Sequence, residues 1–192
     1  MAERDMIRWY PMRVTYNREL KVKERLDALE VETYIPMHYQ IVVRGGSRKR
    51  LLVPAIHNLI FVHSSQAYIT NLKMTDPTMD PLRYIMHRSH EDKEAPATIV
   101  TVPDAQMENF IKATKVEDES LVYLNYEDYL NKPGKRVMII DGPFTGVEGV
   151  IKRIKKNRQV VVAINDIAAV MITAVPRSFL KEIEGNNQTI KI

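Results

Sequence analysis

The chain has 192 residues, 45% of them hydrophobic and 27% charged, with 28 Lys and Arg against 24 Asp and Glu. That composition excludes the low-hydrophobicity disordered class, and a net charge of +4 permits a nucleic-acid partner without demanding one. The lack of cysteine removes disulfides, thiolate metal sites and thiol nucleophiles together. The opening MAERDMIRWY has no apolar signal segment, and no apolar stretch approaches the ~20 residues of a membrane span, so a cytoplasmic protein without a membrane segment is expected.

Alternation from Trp9 to Thr15 puts Tyr10, Met12 and Val14 on one side of a strand and Trp9, Pro11 and Arg13 on the other. Both sides carry apolar groups, so both are expected to be covered. Pro11, with no N–H to give, is expected at a strand end or an edge. Asn17 is placed to cap a helix whose apolar stripe is Val22, Leu26 and Leu29, with Arg18, Lys21 and Arg25 on a different face. A strand around Thr33 to Met37 leads into Gln40 to Val43, then Gly45-Gly46-Ser47, then the cations Arg48, Lys49 and Arg50 before Leu51 to Val53. Two extended arms around a Gly-Gly turn predict a projecting hairpin.

Leu59 to His63 is the clearest strand of this half, and Ser64 or Ser65 is placed to cap a short helix carrying Tyr68, Ile69 and Leu72. Leu82 to His87 gives another strand, followed by the polar loop SHEDKEAPAT. Pro103 then opens a helix with Met107, Phe110 and Ile111 on its buried stripe. The order of elements predicts an α+β domain over residues 1–114, a split βαβ or ferredoxin-like arrangement with helices on an antiparallel sheet.

From 115 to 132 the periodicity weakens and acids concentrate, which marks a linker, although Val122, Tyr123, Leu124, Tyr126 and Tyr129 make it too apolar for a free tether. Residues 133–184 read differently. GKRVMIIDGPFTGVEGVIKRI, KKNRQVVVAI and AAVMITAV are short β-rich runs punctuated by Asp141-Gly142, Gly146 and Gly149, the grammar of a small all-β barrel. The last residues, 185–192, are expected to be a tail.

The stretch Lys135 to Ile154 resembles a KOW motif, an SH3-like barrel, through Asp141, Gly142, Pro143, Phe144, Gly146 and Gly149. Asp-Gly turns need positive φ, Phe144 is suited to plug the barrel end, and Gly149 lets two backbones approach closely. The segment from Ile7 to Thr114 is similar to the N-terminal domain of NusG proteins, with Trp9-Tyr10 opening the first strand, a basic helix, Tyr34-Ile35-Pro36 and the run Pro54 to Val62. Both domains in this order resemble the NusG family of transcription elongation and antitermination factors, and in detail the specialised RfaH-like and UpxY-like paralogues. Two departures stand out: Ile56-His57-Asn58-Leu59 lacks the aromatics common before the third strand, and Ile164-Asn165-Asp166-Ile167 lacks a Phe that housekeeping members carry. The second puts binding to the termination factor Rho in doubt.

The resemblance implies an apolar face that docks on the clamp helices of the RNA polymerase largest subunit and suppresses pausing, with Trp9, Pro11, Ile56, Leu59, Phe61 and Tyr84 as its residues. The competing reading is that these are ordinary core. Arg18, Lys21 and Arg25, with Arg48, Lys49 and Arg50, are placed to meet DNA of the elongation complex, against the reading of a solvated charged face. Lys152, Arg153, Lys155, Lys156 and Arg158 surround a barrel turn that is suited to nascent RNA or a ribosomal protein. That feeds the alternative, a KOW-containing RNA-binding or ribosome-associated protein. The resemblance further implies a monomer acting on selected polysaccharide-type operons.

Catalysis finds little support. Gly142 to Gly149 lacks the Lys-Ser/Thr end of a phosphate loop and is followed by a strand. His38, His57, His63, His87 and His90 form no i, i+4 helical pair, so neither a metal nor another cofactor is expected.

Overall fold

The computed structural model describes residues 3–88, 94–116, 118–124, 134–154, 157–164 and 167–183. The chain divides into two compact units, Met1–Asp104 and Ala105–Ile192.

In the first unit β1 (Ile7–Val14), α1 (Glu19–Asp27), β2 (Glu32–Tyr34), β3 (Met37–Arg44), β4 (Ser47–Pro54), β5 (Leu59–Ser65), α2 (Gln66–Thr75) and β6 (Leu82–Tyr84) follow in order. A four-stranded sheet runs β2-β5-β1-β6, and all its pairings are antiparallel. The short β7 (Met86–His87) and β8 (Thr98–Ile99) pair separately. The even-numbered side of β1, Tyr10, Met12 and Val14, packs with Ile60 and Val62 of β5 against Val22 and Leu26 of α1 and Ile69 of α2. Each such buried side chain contributes about 1.5–3 kcal/mol, which is why the stripe on α1 suffices to seat it on the sheet.

Ser65 caps α2, its Oγ accepting from the Tyr68 N–H at 3.2 Å. Asn17 does not cap α1. Its φ is +50°, and its N–H donates to the Asn58 side-chain oxygen at 3.1 Å, so Arg18 stands at the cap position without a side-chain bond.

Pro11 lies inside β1, opposite Phe61, rather than at a strand end. The Trp9 carbonyl accepts from the Val102 N–H at 2.9 Å on the side of β1 away from β5. Residues two apart share a side, so the donor Pro11 lacks would point the same way. There β6 begins pairing only at Met12, so no ladder bond is lost.

Among the described residues β3 and β4 pair only with each other, in unbroken register from Met37↔Pro54 to Arg44↔Ser47. Gly45 and Gly46 carry φ of +56° and +76°, the two left-handed positions of a two-residue loop whose twist matches the strands.

The second unit holds α3 (Asp104–Thr114) from Ala105 onward, β9 (Leu121–Leu124), β10 (Lys135–Ile139), β11 (Glu148–Ile154), β12 (Asn157–Ile164), β13 (Ala168–Ile172) and β14 (Leu180–Glu182). One antiparallel sheet runs β14-β10-β11-β12-β13-β9. Val137 and Ile139 of β10 and Val160, Val162 and Ile164 of β12 are buried, while Val161 packs with Ala169 and Met171 as a second cluster. The strands of this unit make one small all-β sheet.

The helix after Pro103 groups with this second unit, ahead of the expected boundary at 114. Asn109 explains the grouping: its amide donates to the Glu148 carbonyl at 2.7 Å and accepts from the Glu148 N–H at 2.8 Å, extending the edge of β11 as a backbone would. Gln106 adds a bond from Nε2 to the Ala163 carbonyl at 3.1 Å. The apolar part of the linker is also used, since β9 pairs with β13 from Leu121↔Ile172 to Leu124↔Ala169. The loop residues 89–93, linker residues 125–132, Lys155, Lys156, Asn165, Asp166 and the tail 185–192 lie outside the described residues.

Candidate docking face and nucleic-acid interface

The register of β1 and β5 sorts the expected docking residues. Trp9 faces His63, Pro11 faces Phe61 and Arg13 faces Leu59, so Trp9, Pro11, Leu59 and Phe61 share the side of the sheet opposite α1 and α2. Ile56 lies in the loop just before β5 and is half-buried. Tyr84 does not join them. It pairs with Met12, so parity turns it to the helix side, where its ring meets Tyr10 edge-on at 5.9 Å and its hydroxyl lies 3.2 Å from that of Thr70. Burial pushes the Tyr84 phenol up from its ordinary value, against the lowering effect of that hydroxyl.

The expected face is not open in this conformation: Trp9 and Leu59 are 4% exposed, Phe61 is 0% exposed, and Pro11 is buried. Arg13, opposite Leu59 at the end of that row, is exposed. His63 stacks on Trp9 with centroids 4.6 Å apart, and its Nδ1 lies 2.7 Å from Glu32 Oε2 on the neighbouring strand.

Of the helix cations, Arg18 and Lys21 are exposed beside a cleft of about 170 Å³ that they line with Val22, Pro77, Thr78 and Pro81. Arg25 is engaged instead, its Nε donating to Asp76 Oδ2 at 2.7 Å. Thr78 completes the hold on Asp76 through its N–H at 2.9 Å and hydroxyl at 2.5 Å. The two Thr78 bonds and the guanidinium keep the Asp76 carboxyl at about 2.

The hairpin cations are exposed, but strand parity divides them. Arg48 and Arg50 stand opposite Val43 and Ile41, on the side that also carries Tyr39, while Lys49 stands opposite Val42 on the other. The Arg50 guanidinium lies over the Tyr39 ring, 3.9 Å from its centroid. In the sequence the basic trio is flanked by Ser47 and Leu51, with no aromatic next to it. The signal was present as the alternation Tyr39, Ile41, Val43, but which residue meets which across the hairpin depends on the two-glycine register.

In the second unit Gly142 has a φ of +84°, and its N–H is held by Asp141 Oδ1 at 2.8 Å. Pro143 follows in the same turn, Phe144 is buried, and Gly146 has a φ of +78°. A Cβ on Gly149 would lie 2.6 Å from Val160 Cγ1 and 2.8 Å from the Val161 carbonyl oxygen. Lys152 is buried in β11 rather than presented to solvent. Among the described residues no group of three His, Asp or Glu side chains is disposed to hold a metal ion, and no helix is long and apolar enough to cross a membrane.

An α+β domain with a two-sided antiparallel sheet and a hairpin that carries Arg48, Lys49 and Arg50 is followed by a small all-β domain. The family described as transcription termination factor nusG matches residues 7–111, and the KOW motif matches residues 133–163. The chain therefore belongs to the NusG family, whose members bind RNA polymerase, and is a transcription elongation or antitermination factor. No curated protein matches it.

Proposed function

We propose that the protein is a cytoplasmic, non-enzymatic antitermination factor that docks on the clamp helices of the RNA polymerase largest subunit and suppresses pausing on selected operons, of polysaccharide type in the UpxY-like reading. The supporting observation is the common side of Trp9, Pro11, Leu59 and Phe61, four apolar residues on the sheet face that α1 and α2 do not use. Because three of these side chains are almost fully buried, docking requires a form in which they are uncovered. Ile56 and Arg13 border that face and remain accessible. Arg18 and Lys21, with Arg48, Lys49 and Arg50, then contact DNA phosphates of the elongation complex, giving affinity that falls with salt.

The test is capture of native RNA polymerase by the tagged full-length chain. Ile56→Asp and Arg13→Glu change accessible positions and leave the core intact; both are expected to lose polymerase while keeping the wild-type circular dichroism. Undiminished capture by both variants rejects the docking face. Transcript profiles after deletion test the specialisation: readthrough lost genome-wide, rather than in a few long operons, contradicts a selective role.

A further inference from the structure

In the second unit, pairing sets Ile151 opposite Lys135 and Val160, and sets Glu182 and Leu180 opposite Val137 and Ile139. Residues directly opposite share a face, so these side chains stand on one side of β10, β11, β12 and β14. Val137, Ile151, Val160 and Leu180 line a cavity of about 550 Å³ there, together with Val175 from the link between β13 and β14. Val137 and Val160 are buried, but Ile151, Val175 and Leu180 are half-buried, so the cavity leaves apolar wall in contact with water.

Beside the cavity runs a free strand edge. Among the described residues β14 pairs with β10 alone. The Ile140 N–H donates to the Phe179 carbonyl at 2.8 Å and the Ile183 N–H to the Arg136 carbonyl at 3.2 Å, so the odd-numbered residues here face β10. The Leu180 carbonyl and both backbone groups of Glu182 therefore turn to the unpaired side. Leu180 and Glu182 are also the β14 residues that line the cavity. A strand added at this edge would continue the sheet and set every second side chain over the cavity.

Charge around the edge is unbalanced. Lys135 Nζ donates to both Glu182 carboxylate oxygens at 3.0 Å, which leaves Arg177 at the cavity and Lys181 on β14 without an ion pair among the described residues. Acids on an incoming strand complement those two cations. A nucleobase fits the cavity poorly, because its edge donors and acceptors would be left unpaired among valine, isoleucine and leucine side chains.

We propose that β14 and the cavity beside it receive an extended acidic segment of a partner protein, which pairs with the β14 edge and inserts one bulky apolar side chain among Ile151, Val175 and Leu180.

The probe is a fluorescein-labelled peptide, Thr-Glu-Thr-Phe-Thr-Glu-Thr, titrated against the full-length protein by anisotropy. Replacing its Phe by Ala is expected to weaken binding about tenfold or more. Arg177→Glu should weaken binding of this peptide and strengthen binding of its counterpart with Lys in place of Glu. Val175→Trp fills the cavity and should abolish binding while leaving the melting temperature unlowered, which separates occupancy from unfolding. Bound peptide should slow hydrogen exchange at the Glu182 amide. Equal binding of the Phe and Ala peptides overturns the cavity as the anchor site, and binding without slowed Glu182 exchange overturns the edge pairing. If the full chain fails to bind but a variant ending at Glu184 does, residues 185–192 are the occupant and the partner reading falls. Failure of both overturns the site, as does displacement of the peptide by oligothymidylate.

Discussion

The imidazole of His63 lies on the indole of Trp9, centroids 4.6 Å apart and planes 8° from parallel. The two residues are partners across β1 and β5, and Glu32 on β2 meets the imidazole Nδ1 at 2.7 Å. Trp9 is the chain's one tryptophan, so its emission reports on this face alone. His63→Ala should raise the emission intensity by removing a contact quencher, shift it to longer wavelength as water reaches the indole, and cost about 1 kcal/mol of stability. An unchanged spectrum would show that the rings do not stack in solution.

Asp76 links α1 to the turn after α2 and supplies a pH-dependent stabilisation. Its carboxyl is lowered from 3.8 to about 2, first by the Thr78 hydroxyl, then by Arg25 and the Thr78 amide. A folded value below the unfolded one means that the contribution is complete above the unfolded value and disappears as pH falls through the folded one. Melting temperatures measured between about pH 4 and pH 2 should fall more steeply for the wild type than for Asp76→Asn, with Arg25→Gln between them. Parallel curves for all three would remove Asp76 from the acid response.

Two glycines separate steric from conformational demands. Gly149→Ala drives a methyl group against Val160 and the Val161 carbonyl, backbone that the β11–β12 ladder holds in place, and should cost about 1–3 kcal/mol in urea unfolding. Gly45→Ala meets nothing within 4 Å, and its penalty comes only from the positive φ, so Gly45→Asn should recover most of it. Equal losses for Gly149→Ala and Gly45→Ala would contradict the close approach at Gly149.

Local chemistry made much of the molecule legible from residues alone. Period-two alternation locates β1 and β5, the pair Ser64-Ser65 marks the start of α2, and the glycines of the Asp141 to Gly149 run mark the β-rich unit, because each signal acts within a few residues of itself. Signals that depend on a distant partner are not legible in the same way. Asn17 has the chemistry of a cap, but Asn58, far along the chain, claims its backbone. Tyr84 lies off the expected docking face because its parity is fixed by Met12 rather than by its own segment.

The amino-acid order by itself determined the change of grammar between the two halves, where most of the strands and helices fall, and which family the chain belongs to, since periodicity and turn chemistry are properties of neighbours in the chain. Only the tertiary structure decided that Trp9, Pro11, Leu59 and Phe61 share a covered face, that Arg25 is bound to Asp76, and that Arg50 lies on Tyr39. Those facts follow from strand register and from packing between residues far apart in sequence, and a one-residue slip in pairing would reverse which side every strand side chain occupies.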